Sequence, residues 1–202
     1  MLLRSGVSLR ARATLLALAA PLAAQAESCG RFPSRGFENA DAPQLDARYA
    51  NPVYGYAVQL PAGLIGHGAP SPAPDHGFGI ALSWTPRAYL YVDGSYEVLD
   101  DDTLGKQETR QREFLRAEAL RVLSTQSTST RLGPLPGVRM VARYACKGLR
   151  GLYVKDEVVA LSPDLRVVYR VALLTTTKRY RADKAALDEL LRSFTLLSRP
   201  VP

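Results

Sequence analysis

The sequence predicts an α+β domain in which an antiparallel sheet is covered by helices. Three observations carry this. Two strand-like runs, Leu152 to Leu161 and Arg166 to Thr175, are separated by Ser162-Pro163-Asp164, a tight-turn triplet that makes them an antiparallel hairpin. Near the end, Leu187, Leu190, Leu191 and Phe194 recur at i, i+3, i+4 and i+7, the stripe of an amphipathic helix. The order of elements, strands then helix then strands then helix, lacks the regular alternation of a parallel sheet.

The chain opens on an export signal. Arg4, Arg10 and Arg12 precede the apolar run Ala13 to Ala23, and Ala24-Gln25-Ala26 has the small-residue spacing of a secretory cleavage site. The run is too short to span a bilayer. Residues 1–26 are therefore read as a signal peptide, and the mature chain as periplasmic or secreted, soluble and without a transmembrane segment. About 175 residues remain, enough for one domain with a sizeable core. The whole chain holds 26 Lys and Arg against 19 Asp and Glu, a formal charge of +7, of which the signal arginines account for all but +4. That mild excess, with no compact basic run, excludes nucleic acid as the expected partner.

Two cysteines, Cys29 and Cys146, are expected to form one disulfide in the oxidising compartment. Closing so long a loop contributes on the order of 4 to 5 kcal/mol in the chain-entropy model. No C-x-x-C pattern supports a redox or metal role. Ala26-Glu27-Ser28, directly before Cys29, is not a lipidation signal.

From residue 27 to 48 the chain is polar and turn-rich, an arm preceding a single domain over 49–199. Tyr56 to Leu60 alternates as a strand that Pro61 stops. Pro61 to Gly77 is so rich in Gly and Pro that neither helix nor central strand is expected there. Ile80 to Trp84 and Tyr89 to Val92 are strands, the second with Tyr89 and Tyr91 on one face and Leu90 and Val92 on the other. Asp100-Asp101-Asp102-Thr103 supplies N-cap candidates for a helix reaching about Leu120, with Phe114 and Leu115 as core contacts. Ser124 to Thr130 is polar and β-branched and suits an exposed edge strand. Pro134 to Gly137 is a turn, Val138 to Cys146 a strand, Lys178 to Arg181 an exposed loop, and Asp183 to Phe194 the last helix.

The segment Tyr49-Ala50-Asn51-Pro52-Val53-Tyr54-Gly55-Tyr56-Ala57-Val58-Gln59-Leu60-Pro61 resembles the opening of PsbP-like domains, where an aromatic, Gly-containing stretch enters the first strand and ends at Pro. Leu187-Asp188-Glu189-Leu190-Leu191-Arg192-Ser193-Phe194 is similar to their last helix. The resemblance spans roughly Tyr49 to Leu197. It implies an α/β/α sandwich around an antiparallel sheet, used mostly for binding, and carries over no catalytic residue.

Candidate chemistry is sparse. The histidines, His67 and His76, both lie in the Gly/Pro segment, nine positions apart, a spacing that fits no zinc pattern and lacks a third ligand. A hydrolase would need one of them as base, with Ser95 as the tempting nucleophile, yet no G-x-S-x-G elbow surrounds it and Gly94-Ser95 reads as a turn. Asp100, Asp101 and Asp102 read as a helix start rather than a carboxylate pair. Neither an enzyme activity, a cofactor nor a metal is expected.

Two binding surfaces are expected instead. Tyr54, Tyr56, Tyr89, Tyr91 and Tyr96, with Tyr49, flank the Gly/Pro loop, and tyrosine is enriched at contact surfaces; with His67 and His76 they form a candidate contact edge. Arg139 and Arg143, opposite Val138, Met140, Ala142 and Tyr144, and Arg166 and Arg170, opposite Val167, Tyr169, Val171 and Leu173, form a candidate arginine stripe. The expected partner is an exported protein, as for an immunity-type or inhibitor protein that masks an exported enzyme. The alternative is an envelope-assembly or stress protein that binds peptidoglycan or anionic lipid through the arginines.

Overall fold

A computed structural model describes residues 44–68, 77–96, 103–146, 149–164 and 166–197. The fold is α+β, as expected. Its main sheet is antiparallel throughout and orders eight strands as β1 (Gln44–Leu45), β4 (Gly66–Gly68), β5 (Phe78–Trp84), β6 (Arg87–Tyr96), β10 (Val167–Thr176), β9 (Leu152–Leu161), β8 (Leu135–Cys146) and β7 (Ala119–Leu132). A small second sheet holds β11 (Thr195–Leu196), β3 (Tyr56–Gln59) and β2 (Arg48–Asn51). Two helices, α1 (Leu104–Glu118) and α2 (Tyr180–Ser193), cover opposite faces of the main sheet.

Strand parity decides which residues enter which layer. On β6, Leu90 and Val92 pair across with Leu173 and Val171 of β10, and join Tyr169, Val158, Leu187, Leu190, Tyr56 and Phe194 in a core beneath α2 and the small sheet. On the other face, Tyr89 and Tyr91 pair with Leu174 and Ala172, and join Ala142, Tyr144, Tyr153 and Leu115 beneath α1. Residues in register share a face, so each strand through β6, β10 and β9 is covered on both sides.

The hairpin of β9 and β10 forms as predicted, with Ser162 accepting from the Val167 backbone N–H at 3.0 Å to close the turn. Leu187, Leu190 and Phe194 are buried and Leu191 is half-buried, the predicted stripe. α2 begins a turn earlier than Asp183, because the buried Asp183 carboxylate accepts from Thr175 and from Arg179 Nε at 3.1 Å and Nη2 at 2.9 Å. Lys178 to Arg181 is thus partly the first turn of α2 rather than a loop.

Thr103 is the N-cap of α1; its Oγ1 accepts from the Lys106 N–H at 3.3 Å. The helix buries Gln107, Gln111 and Leu115, one face at i, i+4, i+8, while Phe114 is 58% exposed. Phe114 is therefore not the core contact expected, since that stripe turns it away from the sheet; Lys155 Nζ lies 5.6 Å from its ring centre. Leu135 to Gly137 belongs to β8, and the turn contracts to Gly133 and Pro134. Gly133 has φ of +54°, and a Cβ there would lie 2.7 Å from the Phe194 carbonyl oxygen, so only glycine fits.

Four short strands fall where none was expected. β1 lies in the polar arm, β2 starts at the arm's last residue and runs into the domain, β4 lies within the Gly/Pro segment, and β11 follows α2. Each is held by a partner strand rather than by its own residues: β4 pairs with β1 and β5, and β2 and β11 with β3. Residues Ala69 to His76, Asp100 to Asp102 and Cys29 lie outside the described residues.

Candidate binding surface

The tyrosine edge is a correction. Tyr54, Tyr56, Tyr89 and Tyr91 are all buried, and among the candidates only Tyr96 is exposed, at 54%. Tyr56 stacks on Phe194 at 5.7 Å and 9° and meets Tyr169 edge-on at 5.7 Å. Tyr169 in turn donates its hydroxyl to the Tyr54 carbonyl at 2.7 Å. For Tyr89 and Tyr91 the reason is the double covering of β6, whose side chains of both parities face a packed layer until the strand's end at Tyr96.

His67 sits half-buried on β4, opposite Gln44 and Gly79, and His76 lies outside the described residues. Ser95 is not in a turn. It belongs to β6, opposite Val168, and its Oγ accepts from Arg170 Nη1 at 3.0 Å. Among the described residues no group of three His, Cys, Asp or Glu could hold a metal ion. Cys146 ends β8, buried and not free.

The arginine stripe is also a correction. Arg139 pairs in register with Val158, which pairs with Val171; Arg170 pairs with Val159, which pairs with Val138. Arg139 and Arg143 therefore share the face under α2, whereas Arg170 lies on the face under α1, with β9 between. Arg166 precedes β10 and is exposed. Two of these arginines are also committed internally. Arg139 donates to both Asp156 carboxylate oxygens at 2.7 Å. Arg170 donates to Gln107 Oε1 at 3.0 Å and lies 3.6 Å from Asp93.

Consecutive residues of β9, Asp156 and Glu157, place one buried carboxylate on each face of the sheet. Asp156 holds Arg139 and accepts the Tyr180 hydroxyl at 2.7 Å. Glu157 lies 2.6 Å from Lys155 Nζ and accepts the Tyr91 hydroxyl at 2.7 Å. Burial, with the neighbouring carboxylate, pushes the Tyr91 hydroxyl well above its ordinary value. Burial alone would raise the Glu157 carboxyl, but Lys155, the Tyr91 hydrogen bond and Arg170 outweigh it and hold it below the usual carboxylate range. In the unfolded chain the same carboxyl takes up its proton near pH 4.3, a higher pH than in the folded protein. Between the two values the unfolded chain binds more protons, so stability falls as pH drops through that window. The urea midpoint is expected to fall on acidification from about pH 5 to pH 3, and to fall less steeply in Glu157→Gln. An equally steep fall in the variant would remove Glu157 as its source.

What remains open is the hairpin of β7 and β8. β7 ends the main sheet, as expected for the Ser/Thr run, and spans 14 residues. No strand among the described residues pairs with its outer edge. The hairpin, residues 119–146, contains Arg121, Arg131, Arg139 and Arg143 and no Asp, Glu or Lys. Arg121 and Arg143 are exposed on one face, and neither pairs with an acid among the described residues. Bulges between Ala119 and Arg121 and between Val122 and Ser124 turn Leu120 and Leu123 outward, 69% and 43% exposed. At the turn end, an apolar groove of about 730 Å³ opens between Thr103 to Gly105, Pro134 to Pro136, Leu161 to Pro163 and Leu196. The sequence carried a signal for this surface, a run of 28 residues with no Asp, Glu or Lys, which no single strand reveals.

No family model matches the chain, and no curated protein matches it. Solved structures do. The fold resembles that of PsbP. The solution structure of cyanobacterial PsbP from Synechocystis sp. PCC 6803 superposes with a TM-score of 0.48 and 16% identity, covering 77% of this chain and 93% of that one. A Pseudomonas aeruginosa protein of unknown function, PA94, gives 0.46 and 13% identity over 72% of this chain and 92% of that chain. LpqN, involved in cell envelope biogenesis of Mycobacterium tuberculosis, gives 0.38 and 14% over 78% and 83% respectively. The resemblance read from the sequence implied this fold. At such identities the likeness extends to the fold alone and transfers no residue role. Among the described residues no helix is long and apolar enough to cross a membrane.

Proposed function

We propose that this is an exported, non-catalytic binding protein that engages its partner through the β7–β8 hairpin. The observation that supports this reading is the combination of a long open sheet edge with an acid-free hairpin whose Arg121 and Arg143 are exposed and pair with no acid among the described residues. Arg139 of the same hairpin is committed to Asp156, as Lys155 is to Glu157 and Arg170 to Asp93. A surface of one sign steers and orients a partner of the opposite sign. In its finer form the partner is another exported protein, and binding masks it as an immunity-type or inhibitor protein does.

The same arginines favour a second reading, adhesion to peptidoglycan or anionic lipid in the envelope. Affinity capture from envelope and secreted fractions separates them, with the exported protein and its Arg121→Glu/Arg143→Glu variant run in parallel. One stoichiometric protein, retained at physiological salt and lost in the variant, is the expected result. Retention of cell-wall polymer or lipid, released steeply with salt, would favour the second reading. A partner held equally by the variant would place the binding surface elsewhere.

A further inference from the structure

Edge strands offer a row of unpaired backbone donors and acceptors, and proteins ordinarily blunt them with short length, proline, lysine or bulges. The opposite edge of this sheet follows the rule, since β1 has two residues. β7 does not. Its bulges lie at one end, and from Ser124 opposite Arg143 to Leu132 opposite Leu135 the register runs without interruption. That stretch contains no proline, lysine or acid; it is built of short hydroxyl side chains with Gln126, Arg131 and Leu132. It is also held in place. From α1, Arg112 donates through Nη1 to Thr125 Oγ1 at 2.6 Å and through Nη2 to Ser127 Oγ at 2.8 Å, while Glu108 receives the same guanidinium at 2.8 Å.

From this geometry we infer that β7 takes an extended acidic segment of its partner protein as a ninth strand. The inference rests on the reading of the hairpin as the binding surface and adds the mode of binding. A polypeptide alone supplies both backbone donors and acceptors for the open ladder, which a lipid headgroup does not. Charge sets the composition: Arg121 and Arg143 lie on one face of the hairpin, Arg143 directly opposite Ser124, so the added strand carries its acids at alternate positions facing that side. A second copy of this chain is disfavoured, because it would set two hairpins of arginines without acids edge to edge.

The test uses the exported protein and a fluorescent ten-residue peptide alternating glutamate and valine, read by anisotropy. Binding is expected, weakened roughly tenfold or more by Arg121→Glu/Arg143→Glu with unchanged circular dichroism. N-methylating alternate peptide amides, in two complementary sets, is expected to weaken binding by a similar factor, roughly tenfold, for one set alone. If neither set matters while the arginines do, strand addition is wrong and the hairpin remains the binding surface. If the arginines do not matter either, both readings fall. Failure of the peptide to bind, with retention on phosphatidylglycerol vesicles or with self-association in sedimentation velocity, overturns the inference in favour of lipid or of a second copy.

Discussion

Asp156→Ala is expected to destabilise the protein by about 3 kcal/mol. The carboxylate is fully buried at the middle of β9 and satisfies three donors, two from Arg139 and one from Tyr180. Removing it leaves a half-buried guanidinium and a half-buried hydroxyl without their acceptor, and their partial desolvation enters the loss together with the pairing itself. Two features limit the damage. Arg139 keeps 22% of its side chain exposed, and Asp188 lies 3.6 Å from it as a substitute partner. For a domain of this size the change corresponds to a melting temperature lower by about 10 °C. Asp156→Asn, which keeps the shape and one acceptor, should lose about half as much. A loss under about 1 kcal/mol for the alanine variant would mean that the pair behaves as a surface contact.

Tyr56→Ala is expected to cost about 4 kcal/mol. Its side chain is fully buried where the small sheet, α2 and the main sheet meet, between Phe194 at the end of α2 and Tyr169 of β10, with Tyr49 of β2 at 5.8 Å. Truncation leaves a void that three separate elements border, and they cannot all close on it without giving up their own pairings. Tyr96→Ala, at an exposed position on the same side, should change stability by less than about 0.5 kcal/mol. Denaturant unfolding of the two variants tests whether these tyrosines hold the core or present a surface. A Tyr56→Ala protein of undiminished stability would return the tyrosines to the contact edge.

The elements that local chemistry controls were legible. β9 falls where its strand-like run and the Ser162-Pro163-Asp164 turn put it, α2 where its leucine stripe does, and the edge position of β7 follows from a polar Ser/Thr run that no two-sided packing would tolerate. Elements stabilised by someone else were not. β1, β2 and β4 contain Gly, Arg and Gln and form because neighbours offer them a ladder, which composition cannot reveal. The orientation of α1 was similarly hidden, since its buried stripe is Gln107, Gln111 and Leu115 and hydrophobicity alone points to Phe114.

The candidate site shows the same division more sharply. Parity along one strand is a property of the sequence, so Tyr89 with Tyr91, and Arg139 with Arg143, share a face as read. Parity between strands is a property of register, and only the pairing through β9 puts Arg139 and Arg170 on opposite faces. Whether a face is covered is a property of the layers, and two layers hide tyrosines that a single one would have shown. The sequence by itself therefore determined the α+β class, the export reading, the central hairpin and the acid-free charge of residues 119–146. The tertiary structure decided which aromatic and charged groups satisfy one another inside and which hairpin is left open, because register and layering are long-range hydrogen bonding and packing that no local stretch of residues contains.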